Sequence, residues 1–136
     1  MIQLIVGNKG SGKTKTLIEM TNKAANESMG NVVCVEKGLK LTHDITHKAR
    51  LVDTEEYEID NFENLFGFLS GLLAGNYDIT HIFVDTTLKI GGKDFVGFEK
   101  MIDKLTKLPP VEHVILTFTV SCDKTELPES ILKYII

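Results

Sequence analysis

The chain has 136 residues, of which 43% are hydrophobic and 25% are charged. This length and this balance are typical of one globular domain, so we assign residues 1–136 to a single domain without linkers or repeats. The formal net charge of -4 and the lack of any basic block argue against nucleic acid as a partner, because phosphate backbones are bound through clustered Lys and Arg.

Apolar runs and helical patterns alternate along the first half of the chain. Residues 2–6 predict a strand, and the apolar spacing after Lys13 predicts a helix that ends near Ser28. The β-branched run at 32–36 predicts a buried parallel strand, and residues 49–52 predict a short one. Between these two strands, residues 38–46 show no pattern and are interpreted as a loop.

The second half begins with a predicted helix that starts near residue 60 or 61 and ends at 75–76. Its apolar positions recur at helical spacing and predict a buried stripe made of Phe62, Leu65, Phe66, Leu69, Leu72 and Leu73. Gly67, Gly71 and Gly75 recur every four residues, and we interpret this spacing as close packing of the helix on the sheet.

Three more elements follow. A predicted strand at 79–84 leads into Asp85, and residues 88–93 are predicted to form a mobile loop. Asp94 then caps a helix that ends at Pro109 and whose predicted buried residues are Phe95, Phe98, Ile102, Leu105 and Leu108. Residues 114–120 predict another strand, and Pro128 opens a short terminal helix through Tyr134. Because strands alternate with helices, the predicted fold class is α/β, a three-layer sandwich with a mainly parallel sheet and right-handed crossovers.

The turn between the first strand and the first helix carries the clearest chemical signal, the sequence Gly7-Asn8-Lys9-Gly10-Ser11-Gly12-Lys13-Thr14. It matches G-x-x-x-x-G-K-[ST] in a strand, turn and helix context, where glycines let backbone N–H groups surround a phosphate. Lys13 would reach the β- and γ-phosphates, and the Thr14 hydroxyl would bind Mg²⁺. The alternative is a tight glycine-rich turn without a ligand.

This turn resembles the Walker A motif of the P-loop NTPases at every fixed position. The resemblance implies the P-loop NTPase fold for the single domain, with ATP and Mg²⁺ as cofactors. It also implies a nucleotide-binding segment made of Gly7, Asn8, Lys9, Gly10, Ser11, Gly12, Lys13, Thr14 and Lys15.

Asp85 comes at the end of the predicted strand at 79–84. Ligands of parallel α/β sheets bind at the carboxyl ends of strands, so this acid would lie at the binding edge of the sheet. It looks like a Walker B aspartate, which would hold Mg²⁺ with Thr14; the alternative is an acid that only starts a turn. Many ATPases with an added strand between the P-loop and Walker B strands have a glutamate next, where this chain has Thr86. A threonine is a poor base near neutral pH, so we expect slow hydrolysis.

Besides Lys13 and Asp85, Thr86 and Glu36 are candidate catalytic residues. Glu36 ends a predicted strand and would face the same site, although a solvated charge at a strand end is the favoured alternative. Arg50 is the only arginine and hence the only candidate for an internal arginine finger, with an ordinary surface position as the alternative. One of Thr117, Thr119 and Ser121 would sense the γ-phosphate, unless these alternating residues simply face outward.

Two narrower resemblances concern residues 7–20 and the order of elements. Residues 7–20 locally resemble the pilus-retraction and secretion motor ATPases. The order of P-loop, helix, strand ending in a charge and strand ending in aspartate is similar to that of thymidine kinases. The glutamate after that aspartate and the zinc-binding cysteines of those kinases have no counterpart here, so this resemblance does not imply kinase activity.

These observations predict a small ATP-binding protein, either a slow Mg-dependent ATPase or a nucleotide-dependent switch. The alternatives are a phosphotransferase with a small acceptor near residues 88–93, and a non-catalytic interaction module or motor-ATPase-like component controlled by nucleotide. A protein partner or a second copy would then supply the missing arginine or glutamate in trans. ATP is preferred over GTP only because it is the more common ligand of such proteins, since no Asn-Lys-x-Asp motif, which reads guanine, is present.

The remaining signals concern compartment and metal. The glycine-rich turn begins at Gly7, which leaves no room for a signal peptide, and no apolar run approaches about 18 residues. We therefore expect a cytoplasmic protein without membrane contact. Cys34 and Cys122 match no metal-ligand spacing and are interpreted as reduced thiols. His43 and His47 would share a helical face but lack a third ligand, so a metal site there is the less favoured interpretation.

Overall fold

The computed structural model describes all residues, 1–136, and shows one five-stranded sheet in which every strand is parallel to its neighbours. The strands are β1 (Ile2–Gly7), β2 (Asn31–Glu36), β3 (Ala49–Asp53), β4 (Ile79–Val84) and β5 (Ile115–Ser121). Their order across the sheet is β1-β5-β4-β2-β3. This confirms the predicted α/β class and parallel sheet, and it places β5 between β1 and β4.

Four α-helices connect the strands: α1 (Lys13–Glu27), α2 (Phe62–Gly75), α3 (Thr87–Gly91) and α4 (Phe95–Thr106). The side chain of Asn61 accepts a hydrogen bond from Asn64 N at the start of α2, and Asp94 does the same for Gly97 N at α4. The predicted terminal helix is a 3₁₀ helix at Glu129–Tyr134. None of these helices combines the length and the hydropathy that a membrane-spanning helix needs.

The two faces of the sheet are covered unequally, as the alternation of neighbouring β2 residues shows. Val33 and Val35 belong to a cluster of 27 buried residues that also contains the inward residues of α2 and α4. Val32 and Cys34 belong to a cluster of 7 buried residues, in which Leu17 of α1 packs on the sheet. Helices therefore flank both faces, with a thick layer on the α2 and α4 side and a thin layer on the α1 side.

The prediction that the α2 glycines pack on the sheet was wrong. Gly67, Gly71 and Gly75 are exposed, and a Cβ added at any of them would meet nothing within 4 Å. The buried stripe of α2 contains Leu65 and Leu69. A residue two places from each of these lies about 200° around the helix, so the glycines face outward.

The prediction of a mobile loop at 88–93 was also wrong for most of that segment. Residues Thr87–Gly91 form α3, and the side chains of Leu88 and Ile90 are buried. Gly91 allows this helix to approach α2, because a Cβ at this position would overlap the ring of Phe62. The burial of Leu88 and Ile90 and the close approach of Gly91 to α2 therefore hold this segment in place, although its glycines suggested a flexible loop.

Candidate functional site

The glycine-rich loop, residues 7–14, connects the carboxyl end of β1 to the first turn of α1. Gly10 and Gly12 both have a φ of +87°, a backbone conformation that L side chains rarely adopt. Gly7 has a different constraint, because a Cβ there would lie 2.5 Å from Ser11 Oγ. The path of the loop therefore requires glycine at Gly10 and Gly12, whereas a side chain at Gly7 would force the Ser11 hydroxyl to move.

The N-terminal end of α1 has no side-chain cap. Its N-cap residue is Gly12, so no side chain accepts a hydrogen bond from the first N–H groups of the helix. Those N–H groups have no partner within the helix either, and the helix dipole adds partial positive charge at the same end. The first turn of α1 is thus available for an anion.

Lys13 lies across the glycine-rich loop and is 8% exposed. Its Nζ donates to the carbonyl oxygen of Asn8 at 3.0 Å and contacts Ser11 Oγ at 3.4 Å. The ammonium group of Lys13 is therefore held against the loop by two of the loop's own oxygen atoms.

Asp85 follows β4 and is buried, being 6% exposed. Its carboxylate accepts hydrogen bonds from Thr14 Oγ1 at 3.2 Å, from Thr119 Oγ1 at 2.8 Å and from Thr86 Oγ1 at 3.1 Å. No lysine, arginine or histidine forms an ion pair with it, since the one ion pair of the chain joins Lys107 to Asp103. A buried carboxylate that is surrounded by neutral hydroxyl groups, one of them from Thr14, has the donor chemistry that suits a hard divalent cation.

Thr86 is held in an unusual backbone conformation beside this carboxylate. Its φ of +50° is uncommon for a β-branched residue and costs on the order of 1–3 kcal/mol. Its N–H donates to Thr119 Oγ1 at 2.6 Å, while the same Thr119 hydroxyl donates to Asp85. Thr119 therefore orients both Asp85 and Thr86, a role more specific than the one its alternation along the strand predicted.

A cavity of about 650 Å³ opens between the glycine-rich loop and α3. We call it the lysine cavity, because its lining contains five lysines and no acidic residue. The residues that line it are Lys9, Gly10, Gly12, Lys13, Thr14, Lys15, Thr86, Leu88, Lys89, Lys93 and Ser121. The sequence did not predict that Lys89 and Lys93 line this cavity, because their segment was interpreted as a mobile loop.

Seven of the predicted site residues line this cavity, namely Lys9, Gly10, Gly12, Lys13, Thr14, Lys15 and Thr86. The other five, Gly7, Asn8, Ser11, Asp85 and Glu36, are not among its lining residues. Glu36 is 4% exposed, and its Oε2 accepts a hydrogen bond from Leu41 N at 2.9 Å. Burial raises the pKa of Glu36, while the N–H groups of Leu41 and Lys40 lower it. The favoured interpretation of Glu36 as a solvated charge at a strand end was therefore wrong, because the carboxylate is buried and binds the turn that follows β2.

Arg50, His43 and His47 also lie outside the lysine cavity. Arg50 is exposed on β3, which β2, β4 and β5 separate from β1. Both histidines are exposed in turns, so the four-residue spacing does not place them on one helical face. Of the three alternating β5 residues, Ser121 lines the cavity, Thr119 contacts Asp85 and Thr117 contacts Gln3.

No protein-family model matches this chain, and no curated protein sequence matches it either. The candidate site combines uncapped helix N–H groups, a cluster of lysines and a buried carboxylate next to the Thr14 hydroxyl. This combination can bind an anion and a divalent cation side by side.

Proposed function

We propose that this chain is a P-loop NTPase-like protein that binds a magnesium nucleoside triphosphate, ATP in the first instance, as a slow ATPase or a nucleotide-dependent switch. The observation that carries the proposal is the meeting of Thr14 and Asp85 at 3.2 Å beside the lysine cavity. In a P-loop site, the hydroxyl after the lysine and the Walker B aspartate are the groups that hold Mg²⁺.

The phosphate chain would occupy the glycine-rich loop. The uncapped N–H groups at the start of α1 would bind the β-phosphate, and Lys13 would neutralise the β- and γ-phosphates. The left-handed conformations of Gly10 and Gly12 support this assignment, because glycines with positive φ allow backbone N–H groups to face an anion without a Cβ in the way.

Thr14 and Asp85 would hold the magnesium ion, which supplies charge neutralisation next to the γ-phosphate. The fit is supported by the burial of Asp85 and by its lack of a basic partner. Thr119 and Thr86 would hold the carboxylate in position through their hydroxyl groups.

The strand order also supports the proposal. β5 lies between β1, which leads into the glycine-rich loop, and β4, which leads into Asp85. An added strand between the P-loop and Walker B strands is also found in many ATPases, although those have a glutamate where this chain has Thr86.

Slow hydrolysis follows from the groups near the γ-phosphate position. Thr86 occupies the place of the glutamate that polarises water, and Glu36 is hydrogen-bonded to the backbone of Leu41. No arginine lines the lysine cavity. Without a base or an arginine finger, we expect turnover well below about 1 s⁻¹ unless a partner supplies the missing group in trans.

Calorimetry of MgATP binding to the native chain and to Lys13→Ala tests the proposal. We expect the variant to lose at least about tenfold in affinity, because it loses a charge-assisted hydrogen bond to phosphate. Lys48→Ala is the control, since Lys48 is exposed and lies outside the cavity. Equal affinity in the native chain and Lys13→Ala would defeat the proposal.

A further inference from the structure

The lysine cavity has two cationic walls. Lys9, Lys13 and Lys15 come from the glycine-rich loop and the start of α1, while Lys89 and Lys93 come from α3 and the turn that follows it. Counterions or a polyanionic ligand would reduce the Coulomb repulsion among these five like charges. The second wall adds two charges beyond those that the glycine-rich loop provides.

The second wall, formed by Lys89 and Lys93, is attached to α3, whose apolar side chains are buried in the core. Leu88 and Ile90 of α3 are 7% and 2% exposed, and Lys89 between them is exposed. On the far side, Gly91 meets the ring of Phe62 in α2. Lys89 therefore projects from a helix whose backbone is already held in place, so binding through its ammonium group does not require ordering of that backbone.

The same cavity offers little to a nucleobase. Leu88 is the one hydrophobic residue of its lining, and no aromatic side chain is present for stacking. No Asp, Asn, Glu or Gln lines the cavity to pair with the edge of a base. Discrimination between bases needs such groups, because a site rejects the wrong ligand strongly only when its own polar groups are left unpaired.

We propose that the lysine cavity selects its ligand by the polyphosphate chain and not by the base, with Lys89 and Lys93 binding the terminal phosphate from the side opposite the glycine-rich loop. The ligand class is then any nucleoside triphosphate, and inorganic tripolyphosphate as well. This inference rests on the proposed function and adds to it two residues that determine specificity.

Calorimetry with MgATP, MgGTP, MgUTP and magnesium tripolyphosphate tests the proposal on the native chain. We expect the three nucleotides to differ by less than about fivefold in Kd, and tripolyphosphate to displace MgATP with a Kd within about tenfold of it. AMP should bind at least about a hundredfold more weakly, since it lacks the β- and γ-phosphates.

Two variants assign this selectivity to the second wall. Lys89→Met and Lys93→Met should each weaken all four ligands by about tenfold, the loss expected for one charge-assisted hydrogen bond. Lys48→Met, which changes an exposed lysine outside the cavity, should leave every affinity unchanged. Thermal unfolding of each variant checks that the fold is retained, and both substituted lysines are exposed.

The outcomes separate this inference from the proposed function. If MgATP binding depends on Lys13 but tripolyphosphate does not displace it, or one nucleotide binds over a hundredfold tighter than the others, the inference fails and the proposed function stands. The inference also fails if neither second-wall variant changes any affinity. If no triphosphate binds, both fail together.

Discussion

The hydroxyl oxygen of Thr14 lies 3.2 Å from both carboxylate oxygens of Asp85, although 71 positions separate the two residues in the sequence. The contact joins the first turn of α1 to the carboxyl end of β4 across the intervening strand β5. It is the point at which the loop that would hold phosphate meets the acid that would hold the metal.

Asp85→Asn should remove the magnesium dependence of ATP binding. The amide oxygen can still accept hydrogen bonds from Thr14 and Thr119, but the charge that would neutralise the cation is gone. Calorimetry with Mg²⁺ and with a chelator should show a gain of at least about tenfold from Mg²⁺ in the native chain and almost none in the variant.

The matched control is Asp103→Asn, which removes a carboxylate from an exposed ion pair with Lys107. This variant should keep the native response to Mg²⁺. An undiminished magnesium gain in Asp85→Asn would contradict the assignment of that carboxylate.

Gly67→Ala should stabilise the protein. Gly67 is an exposed residue inside α2, a Cβ there would meet nothing within 4 Å, and alanine favours helix by about 1 kcal/mol over glycine. Urea denaturation should show a rise of about that size in the free energy of unfolding. Gly91→Ala is the contrasting change, and it should be destabilising because its Cβ would overlap the Phe62 ring.

Glu36→Gln should change how stability depends on pH. Burial raises the pKa of Glu36 in the folded chain above its ordinary value of 4.5, so the folded state binds this proton more tightly than the unfolded state. The contribution of Glu36 to the free energy of unfolding is therefore fully present below pH 4.5 and is lost as pH rises through the raised pKa.

Urea denaturation of both chains across this pH range provides the measurement. The difference in free energy of unfolding, variant minus native, should grow as pH rises from about 4.5, because glutamine cannot titrate. A difference that stays constant with pH would show that Glu36 titrates alike in the folded and unfolded chains.

Thr87→Val should leave stability unchanged or raise it by about 1 kcal/mol. Thr87 Oγ1 is fully buried and has no hydrogen-bond partner, so its hydroxyl pays desolvation without compensation. Thr119→Val should instead lower stability by at least about 1 kcal/mol, because the Thr119 hydroxyl bonds both Asp85 and Thr86 N. Denaturation curves in which both variants lose the same stability would contradict this distinction.

The elements that local pattern determines could be predicted from the sequence. The buried parallel strands were predicted to within a residue or two because apolar, β-branched runs have few alternatives, and the glycine-rich loop because its motif, its strand and its helix agree. The position of Asp85 beside Thr14 agrees with the rule that side chains at the carboxyl ends of parallel strands meet at one edge of the sheet, while its role as a metal ligand stays a prediction.

One error concerned a feature that the sequence does determine. Gly67 and Gly71 lie two places from Leu65 and Leu69, and this offset puts the glycines on the face opposite the buried leucines. The other errors arose where tertiary contacts decide the outcome. Burial against α2 and β5 makes α3 a helix in spite of its glycines. The direction of the Glu36 carboxylate depends on the path of the chain after β2, which no local pattern encodes.

The unequal layers of the sandwich have a consequence for dynamics. The α1 side is held by 7 buried apolar residues and the α2 and α4 side by 27, so α1 should open locally at a lower free energy than the rest of the molecule. The glycine-rich loop leads into that helix, and Thr14 links it to the strand that ends at Asp85. A ligand that bridges the two would slow amide hydrogen exchange along α1 while leaving α4 almost unaffected.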